Sequence, residues 1–295
     1  MLSATLVVCH VGKCYSAEPQ LGTTQLLDPR CAGINRNFTL VFLHFEKCAG
    51  TTVEAALIDF ARECDLGIMR YPCAGCQLKG RELQRFASGE INILMGHNFY
   101  GVHLHLPKDF EWSYVAVFRD PVDRIWSHFN HQNCGVGKCT SRKQRYCGRD
   151  CTIHSFAKKH SNYFKRRLLE RKQLLPNKDP GAGKGLGQAL RNLENFSLIG
   201  TSTKLDIWLS LIGWVYANAG QPGVRLHEQK PLNVRNSDVA VVTAESSAIN
   251  QAKHARTYSG RIPNSSRKRV LPYLSDDMII WELVQQNYNN SSGKT

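Results

Sequence analysis

The sequence predicts an α/β protein with a mainly parallel central sheet. Short apolar runs rich in β-branched and aromatic residues alternate with segments that carry apolar residues at helical spacing, a pattern typical of parallel strands joined by helices. Of the 295 residues, 42% are hydrophobic, so the composition suits a large core and not a disordered chain. No apolar run reaches the length of about 18 residues that a membrane-spanning helix needs.

The hydrophobic pattern predicts four strands, at 39–44, 92–95, 113–118 and 196–200. Apolar residues at helical spacing predict six helices, at 52–63, 122–130, 153–173, 204–218, 244–258 and 276–288. Asp120-Pro121 precedes the second helix, and proline suits a first helical turn. Ligands of open parallel sheets bind at the carboxyl ends of the strands, so functional residues are expected in the loops that follow them.

The N-terminal segment differs from the rest of the chain. Residues 1–35 show no sustained hydrophobic period and are interrupted by Gly, Pro and Cys, so they are predicted to form a leader or stem before a functional domain at 36–295. Residues 2–8 form a short apolar run with no basic residue before it, which makes a poor signal peptide. A membrane anchor missing from this sequence is the alternative.

Cysteine usage indicates an oxidising compartment. All eleven cysteines lie within the first 151 residues, which favours several disulfides whose connectivity the spacing does not fix. A zinc site, formed by Cys73-x2-Cys76 or by the cluster at 134–151, is the alternative, but the irregular gaps of that cluster favour disulfides. Five glycosylation sequons also suit a secretory glycoprotein, and they begin at Asn37, Asn195, Asn264, Asn289 and Asn290.

A loop of small residues joins the first predicted strand to its helix. It reads Glu46-Lys47-Cys48-Ala49-Gly50-Thr51-Thr52. Backbone N–H groups at a helix N-terminus attract anions, Lys47 adds a positive charge, and the two threonines add hydroxyl donors. The loop is not a Walker A motif, because the lysine precedes the glycine. A tight turn that needs small residues only for packing is the alternative.

A second motif follows the third predicted strand. Arg119 ends that strand, and Ser127 lies eight residues later, about two turns into the next helix, so both side chains can reach one phosphate at the carboxyl edge of the sheet. The alternative is that Arg119 pairs with Asp120 or Asp123 and only fixes the turn.

Together these motifs resemble the nucleotide-binding signatures of sulfotransferases that use 3′-phosphoadenosine 5′-phosphosulfate (PAPS), and most closely those of the Golgi heparan sulfate and uronyl 2-O-sulfotransferases. The loop 46–52 is similar to the family's Pro-Lys-Thr-Gly-Gly-Thr-Ser, and residues 119–127 are similar to its Arg-Asp-Pro-x2-Arg with a later Ser. The segment 195–201 resembles the strand before the family's nucleotide-side loop. The resemblance covers about residues 38–290.

The resemblance implies a P-loop-like three-layer α/β/α sandwich and a carbohydrate O-sulfotransferase of the Golgi lumen. Such an enzyme transfers the sulfuryl group of PAPS to a glycan hydroxyl and uses no metal. By resemblance, Lys47 contacts the 5′-phosphosulfate and stabilises the leaving oxygen, while Arg119 and Ser127 hold the 3′-phosphate. The remaining residues of the implied donor site are Cys48, Ala49, Gly50, Thr51, Thr52 and Thr201.

Histidine is the expected general base, because its pKa lies near physiological pH. His97 follows the predicted strand 92–95 in a Gly-His pair, and the 2-O-sulfotransferases have a Gly-His at the corresponding place that serves as base. His97 is therefore predicted to be catalytic. The alternatives are His103 or His105 as the base, and a structural role for His97 in capping the loop.

Two positions depart from the family's loop. Glu46 stands where the family has proline and puts a carboxylate beside an anion site. Cys48 replaces a threonine and removes a hydroxyl donor. Because Lys47 and the helix N-terminus are retained, donor binding is expected to persist.

The net charge of +14 predicts an anionic partner. Residues 138–172 hold twelve Lys and Arg against Asp150 and Glu170, within a Cys-rich basic insertion at about 133–175. A glycan acceptor, either a polysaccharide or a glycoprotein glycan, is predicted to bind there. Nucleic acid is disfavoured, because aromatic stacking residues are sparse and no nucleic-acid-binding module is recognisable.

Two other functions are kept as alternatives. A P-loop nucleotide kinase or NTPase needs a Ser or Thr directly after a Gly-Lys pair to bind magnesium, but Lys184 in the glycine-rich loop 181–187 is followed by Gly185. A non-catalytic protein that binds an anionic glycan through the basic insertion needs no affinity for a nucleotide.

Overall fold

The computed structural model describes residues 7–10, 13–16, 31, 37–71, 80–108, 110–169, 185–203, 205, 215 and 262–292. Near the N-terminus, β1 (Val7–His10) and β2 (Lys13–Ser16) form an antiparallel hairpin. No hydrophobic period indicates this hairpin in the sequence, and it lies within the segment predicted to be a leader or stem.

Five parallel strands form the central sheet. They are β3 (Phe38–Leu43), β4 (Ile68–Arg70), β5 (Ile93–Gly96), β6 (Glu111–Phe118) and β7 (Phe196–Thr201). Their order across the sheet is β4-β5-β3-β6-β7, and every neighbouring pair is parallel. The prediction of an α/β protein with a parallel sheet is confirmed. The short edge strand β4 was not predicted, whereas the other four lie where the apolar runs place them.

Nine helices whose bounds the structure describes accompany the sheet. They are α1 (Gly50–Glu63), α2 (Gly80–Ala87), α3 (Pro121–His131), α4 (Ser141–Cys147), α5 (Ile153–Lys159), α6 (Tyr163–Leu168), α7 (Leu186–Leu193), α8 (Asn264–Val270) and α9 (Ser275–Ser292). Two 3-10 turns lie at Val102–His105 and Leu271–Tyr273. The carboxylate of Asp120 accepts the N–H groups of Val122 and Asp123, which fixes the start of α3.

Apolar clusters cover both faces of the sheet, because successive side chains of a strand point to opposite faces. On one face, Leu40 and Phe42 of β3 join Val53, Leu57 and Ala61 of α1. On the other face, Val41 and Leu43 lie in a cluster with side chains of α6, α7 and α9, namely Phe164, Leu168, Ala189, Leu193, Ile280 and Val284. Burial stabilises the fold by about 1.5–3 kcal/mol for each large apolar side chain, so these two clusters hold the helices to the sheet.

The continuous basic helix predicted at 153–173 is wrong, because two short helices, α5 and α6, occupy this region. The chain turns between them at Asn162, whose φ is 44°. The backbone N–H of Asn162 donates to the carbonyl of Tyr273, and its side chain accepts the N–H of Asp276. Asparagine tolerates this left-handed conformation, and the contacts with the C-terminal region end the first helix and direct α6 into the core.

The remaining predicted helices have different outcomes. Those at 52–63, 122–130 and 276–288 lie within α1, α3 and α9. Of the helix predicted at 204–218, only Leu205 and Val215 are described, and both are helical. The helix predicted at 244–258 lies outside the described residues. The short helices α2, α4, α7 and α8 were not predicted.

Three disulfides are described, and they confirm the disulfide prediction. Cys31–Cys64 joins the segment before β3 to the end of α1, and Cys134–Cys147 and Cys139–Cys151 close the basic insertion. Disulfides of this kind indicate an oxidising secretory or extracellular environment. The described residues contain no group of three or more metal-binding side chains, and Cys73-x2-Cys76 lies outside them. No helix in the described ranges is both long and apolar enough to span a bilayer.

Candidate functional site

Four strands end together at one edge of the sheet. Leu43 at the end of β3 pairs with Gly96 of β5 and Ala116 of β6, and Phe118 of β6 pairs with Thr201 of β7. Because the strands are parallel, the residues that follow them emerge side by side. This edge brings together the loop 46–52, His97, Arg119 and Thr201.

The loop 46–52 turns sharply before α1. Lys47 and Ala49 have φ angles of 67° and 64°, in the left-handed region that residues with a Cβ rarely adopt. Ala49 occupies the N-cap position of α1 and makes no side-chain hydrogen bond to its first turn. The cap residue therefore leaves the positive end of the helix dipole open to an anion. Unfavourable backbone angles of this kind cluster at functional sites.

Lys47 and Arg119 lie close together at the edge. The Arg119 guanidinium donates to the backbone carbonyl of Lys47 over 3.4 Å. Burial lowers the pKa of Lys47, and the charge of Arg119 lowers it further. Burial lowers the pKa of His131 at the end of α3, and the charge of Lys47 lowers it further. Two cations held side by side repel each other until an anion lies between them, so their arrangement suits a phosphate or sulfate ligand.

His97 lies beside the loop, at the end of β5. Its Nδ1 is 3.0 Å from the backbone carbonyl of His44. A carbonyl only accepts, so Nδ1 carries the proton and Nε2 of the neutral ring keeps its lone pair. Burial lowers the pKa of His97, and the neighbouring His44 lowers it further. A neutral ring with an unprotonated Nε2 has the form that a general base requires.

The two alternative histidines lie in the 3-10 turn Val102–His105. The ring of His103 stacks on Trp112 with centroids 3.9 Å apart, and its Nδ1 lies 2.8 Å from the hydroxyl of Tyr114. These contacts hold His103 against the interior of β6, before the carboxyl edge. His105 is exposed at the end of the turn. His97 alone among the three follows a strand directly at the edge.

The carboxylate of Glu46 lies against side chains of α6 and α3. It lies 3.6 Å from Arg167 of α6 and 3.6 Å from His128 of α3. Burial raises the pKa of Glu46, but His128, Arg167 and His97 together outweigh burial and leave it below the usual value. Arg167 also donates to the carbonyl of His97. Glu46, which stands where the family's loop has proline, therefore helps to hold the loop against α6 and the segment that contains His97.

The thiol of Cys48 is buried in the core. Its side chain is 1% exposed and packs within the apolar cluster that α6, α7 and α9 cover. Burial raises the pKa of this thiol to about 12, so it stays protonated. Only the backbone of Cys48 is available to line the loop, and its side chain serves packing.

The hydroxyl residues of the predicted donor site differ in exposure. Thr51 is exposed, whereas Thr52 and Ser127 are half-buried. Thr201 is 2% exposed, and its hydroxyl lies 3.0 Å from that of Thr203. Thr51, Thr52 and Ser127 can therefore meet a ligand, whereas Thr201 takes part in the turn after β7.

Arg124 of α3 is fully buried behind the loop. Its guanidinium lies 4.2 Å from the ring centroid of Tyr163, whose hydroxyl accepts the N–H of Glu46. Its three nitrogens have no hydrogen-bond partner among the described residues. Burying a cation without hydrogen bonds is costly, and the positive potential of Arg124 reaches the side chains of Glu46 and Cys48 in the loop. The sequence shows Arg124 only as part of the second motif and assigns it no role.

His44 and Glu54 are further residues of the edge that the sequence patterns missed. His44 Nδ1 lies 2.7 Å from a carboxylate oxygen of Glu54, and both side chains are almost fully buried. The other oxygen of that carboxylate accepts from Arg70 over 2.6 Å. The available signals were a histidine shortly before the loop and a glutamate one turn into α1, but their pairing depends on the three-dimensional turn between them.

Neither a comparison of the chain with protein-family models nor one with curated proteins found a match.

Proposed function

We propose that this protein is a PAPS-dependent carbohydrate O-sulfotransferase of the secretory pathway, working in the Golgi lumen on a P-loop-like three-layer α/β/α scaffold. The observation that supports it best is the meeting of Lys47, Arg119 and a neutral His97 at one edge of the sheet. Transfer of a sulfuryl group to a hydroxyl requires cationic groups that bind the anionic donor and a general base beside them.

The residues at this edge suit a nucleotide that carries phosphate groups at its 3′ and 5′ positions. Lys47 and the uncapped N-terminus of α1 bind the 5′ end of the donor, while Arg119 and Ser127 bind the 3′-phosphate. The buried Arg124 adds positive potential from behind the loop. When bound, PAPS supplies an activated sulfuryl group on a phosphate leaving group.

The chain's own residues then move one proton and stabilise one charge. Nε2 of His97 accepts the proton of the acceptor hydroxyl, which makes the oxygen a better nucleophile. Lys47 stabilises the negative charge that grows on the leaving phosphate oxygen as the bond to sulfur breaks. The carbonyl of His44 keeps the proton on Nδ1 of His97, so the lone pair stays on the nitrogen that acts.

The acceptor is proposed to be an anionic glycan bound to a surface assembled from two parts of the chain. Six cations of the basic insertion are exposed, namely Lys138, Arg142, Arg145, Arg149, Lys158 and Lys159. The helix α8 packs on α5 and adds the exposed Lys268 and Arg269. The insertion follows α3, the helix of Ser127, so this composite basic surface adjoins the donor site.

Two cationic residues of the basic insertion do not belong to this composite basic surface. Lys165 is fully buried and pairs with Asp276 over 2.6 Å, and Arg167 is buried against Glu46. Their charges are balanced inside the protein. The anionic polymer is therefore expected to meet α4, α5 and α8, and not α6.

Transfer of labelled sulfate from PAPS to a panel of desulfated glycosaminoglycans and neutral glycans tests the proposal. We expect K47A and H97A each to lower kcat by about 100-fold or more with the fold intact, because a general base alone contributes about 100- to 10,000-fold. The control variant K108A changes an exposed lysine away from the edge and should keep full activity.

Three outcomes contradict the proposal. Wild-type rates in K47A and H97A would remove both assigned roles, and loss of transfer in H105A but not in H97A would make His105 the base. Tight binding of glycan with no affinity for adenosine 3′,5′-bisphosphate would instead indicate a non-catalytic glycan-binding protein.

A further inference from the structure

The imidazole of His97 packs against the imidazole of a second histidine, His44. The rings of His44 and His97 have centroids 4.1 Å apart and are tilted by 36°, and Nδ1 of His97 donates to the backbone carbonyl of His44. The orientation of His97 therefore depends on where residue 44 lies. The backbone N–H of residue 44 donates to the carbonyl of Gly96, and its side chain supplies a further constraint on its position.

The ring of His44 is itself held by a carboxylate. Glu54 accepts from Nδ1 of His44 at 2.7 Å, with the two side chains 5% and 7% exposed. Arg70 of β4 donates to the second oxygen of Glu54 from a largely exposed position. Burial raises the pKa of Glu54, but the hydrogen bond from His44 and the charges of His44 and Arg70 outweigh burial and lower it. An ionised, buried acceptor holds a single orientation of the His44 ring.

The glycine of the loop makes room for this ring. A Cβ built on Gly50 would lie 1.9 Å from Cδ2 and 2.0 Å from Nε2 of His44. Distances this short exclude any side chain at residue 50 while His44 keeps its place. The helix α1 thus supplies both a gap for the imidazole, at Gly50, and its hydrogen-bond acceptor, at Glu54, one turn later.

We propose that His44 and Glu54 form a positioning pair that holds the imidazole of His97 in the orientation and tautomer needed to take a proton from the acceptor, an inference that rests on the proposed function. Neither residue needs to touch substrate. The pair acts through His97 as outer-shell carboxylates act through a histidine at metal sites. The other charged groups facing His97 are Glu46 of the loop and Arg167 of α6, and the test leaves both unchanged.

The test compares two substitutions at one site. E54A removes the acceptor, whereas E54Q keeps an oxygen that can accept Nδ1–H of His44 but has no charge. We expect E54A to lower kcat by about 10-fold, because residues that hydrogen-bond to a functional histidine commonly contribute 10- to 100-fold. The KM for PAPS should change by less than about 2-fold, because the residues proposed to bind the donor are unchanged. E54Q should recover kcat to within about 3-fold of wild type. D59A, which removes an exposed carboxylate from the same helix, is the matched control.

A second readout does not depend on activity. In wild type, nitrogen-resolved NMR of the histidine rings should show His97 with its proton on Nδ1, and in E54A it should show both tautomers. If E54A does not fold, R70M removes only the exposed outer hydrogen bond and should give a smaller fall in kcat, again without a change in KM.

Each result decides a separate question. Wild-type kcat in E54A with an unchanged His97 spectrum would overturn the positioning pair while leaving the proposed function in place. If kcat falls as far in E54Q as in E54A, the fall comes from the lost charge of Glu54 and not from the orientation of His44. That result also overturns the positioning pair. If wild-type protein transfers no sulfate, the proposed function fails, and the tautomer of His97 in E54A alone decides whether the pair positions that ring.

Discussion

His97 receives contacts from three segments that lie far apart in the sequence. The carbonyl of His44 fixes its tautomer, Arg167 binds its own carbonyl, and Glu46 and Arg167 place opposite charges beside its ring. A Gly-His pair after a strand is enough to nominate this residue from sequence. The features that favour its neutral form, namely burial and the neighbouring His44, arise only in the folded chain.

The protonation of His97 predicts how transfer depends on pH. The pKa of His97 lies below its usual value of 6.5, and only the neutral ring can accept a proton. We therefore expect kcat/KM to fall as pH drops through that pKa, with a midpoint below 6.5, and to level off above it. A pH profile of kcat/KM from pH 4.5 to 8 measures this.

Substituting Glu46 tests the same pKa in a defined direction. The carboxylate of Glu46 raises the pKa of His97, so E46Q should move the midpoint of the acidic limb to lower pH. E90Q removes an exposed carboxylate that pairs with Arg85 and should leave the midpoint in place. An unchanged midpoint in E46Q would show that Glu46 does not act on His97, and an upward shift would contradict the direction of its effect.

At the scale of elements, α6 and α9 are joined by buried charges. Lys165 of α6 is fully buried against Asp276, and its backbone N–H donates to Asp277, which is also fully buried. Burial raises the pKa of Asp277, although Arg124 opposes the increase. These contacts hold two helices against the face of the sheet that carries Val41 and Leu43.

Removing one partner of this pair should destabilise the fold strongly. K165M leaves Asp276 buried without its cation, and the expected loss in free energy of unfolding is about 3–5 kcal/mol. K268M changes an exposed lysine of α8 and should alter stability by no more than about 0.5 kcal/mol. Denaturant unfolding of both variants measures the difference, and equal stabilities would show that the pair contributes nothing.

The same helices show where sequence reasoning succeeded and where it failed. Four strands and the helices α1, α3 and α9 follow from the local hydrophobic pattern. The strands are apolar runs between two apolar clusters, and each of these helices buries one apolar face. The continuous helix predicted at 153–173 failed for a physical reason, since Asn162 turns the chain there and its side chain accepts the N–H of Asp276, 114 residues away in the chain. Lys47, Arg119 and His97 were predicted because they follow strands, and the structure brings all three to one edge of the sheet. Glu54 and Arg167 were missed because the hydrophobic pattern carries no information about hydrogen bonds across a turn or between distant segments.

For the whole molecule, the net charge of +14 makes anion binding a source of stability. The positive charges of Lys47 and Arg119 oppose each other in the free protein. A ligand at 100 times its Kd stabilises the folded state by about 2.7 kcal/mol. At roughly 2 °C for each kcal/mol in a chain of this size, the melting temperature should rise by about 5 °C.

Thermal unfolding with adenosine 3′,5′-bisphosphate measures this increase. Adenosine without phosphates should produce no rise, and K47A combined with R119A should abolish the rise produced by the bisphosphate. An equal increase in wild type and the double variant would show that the ligand binds elsewhere.

The two disulfides of the basic insertion have a consequence for how this protein can diversify. Both close within residues 134–151, and Cys134, Cys147 and Cys151 pack with Phe129 of α3 in an apolar cluster separate from those on the sheet. The segment therefore holds its own shape without help from the strands. Its surface residues are free to change over evolution, or to be exchanged in the laboratory, while the chemistry at the strand ends stays as it is.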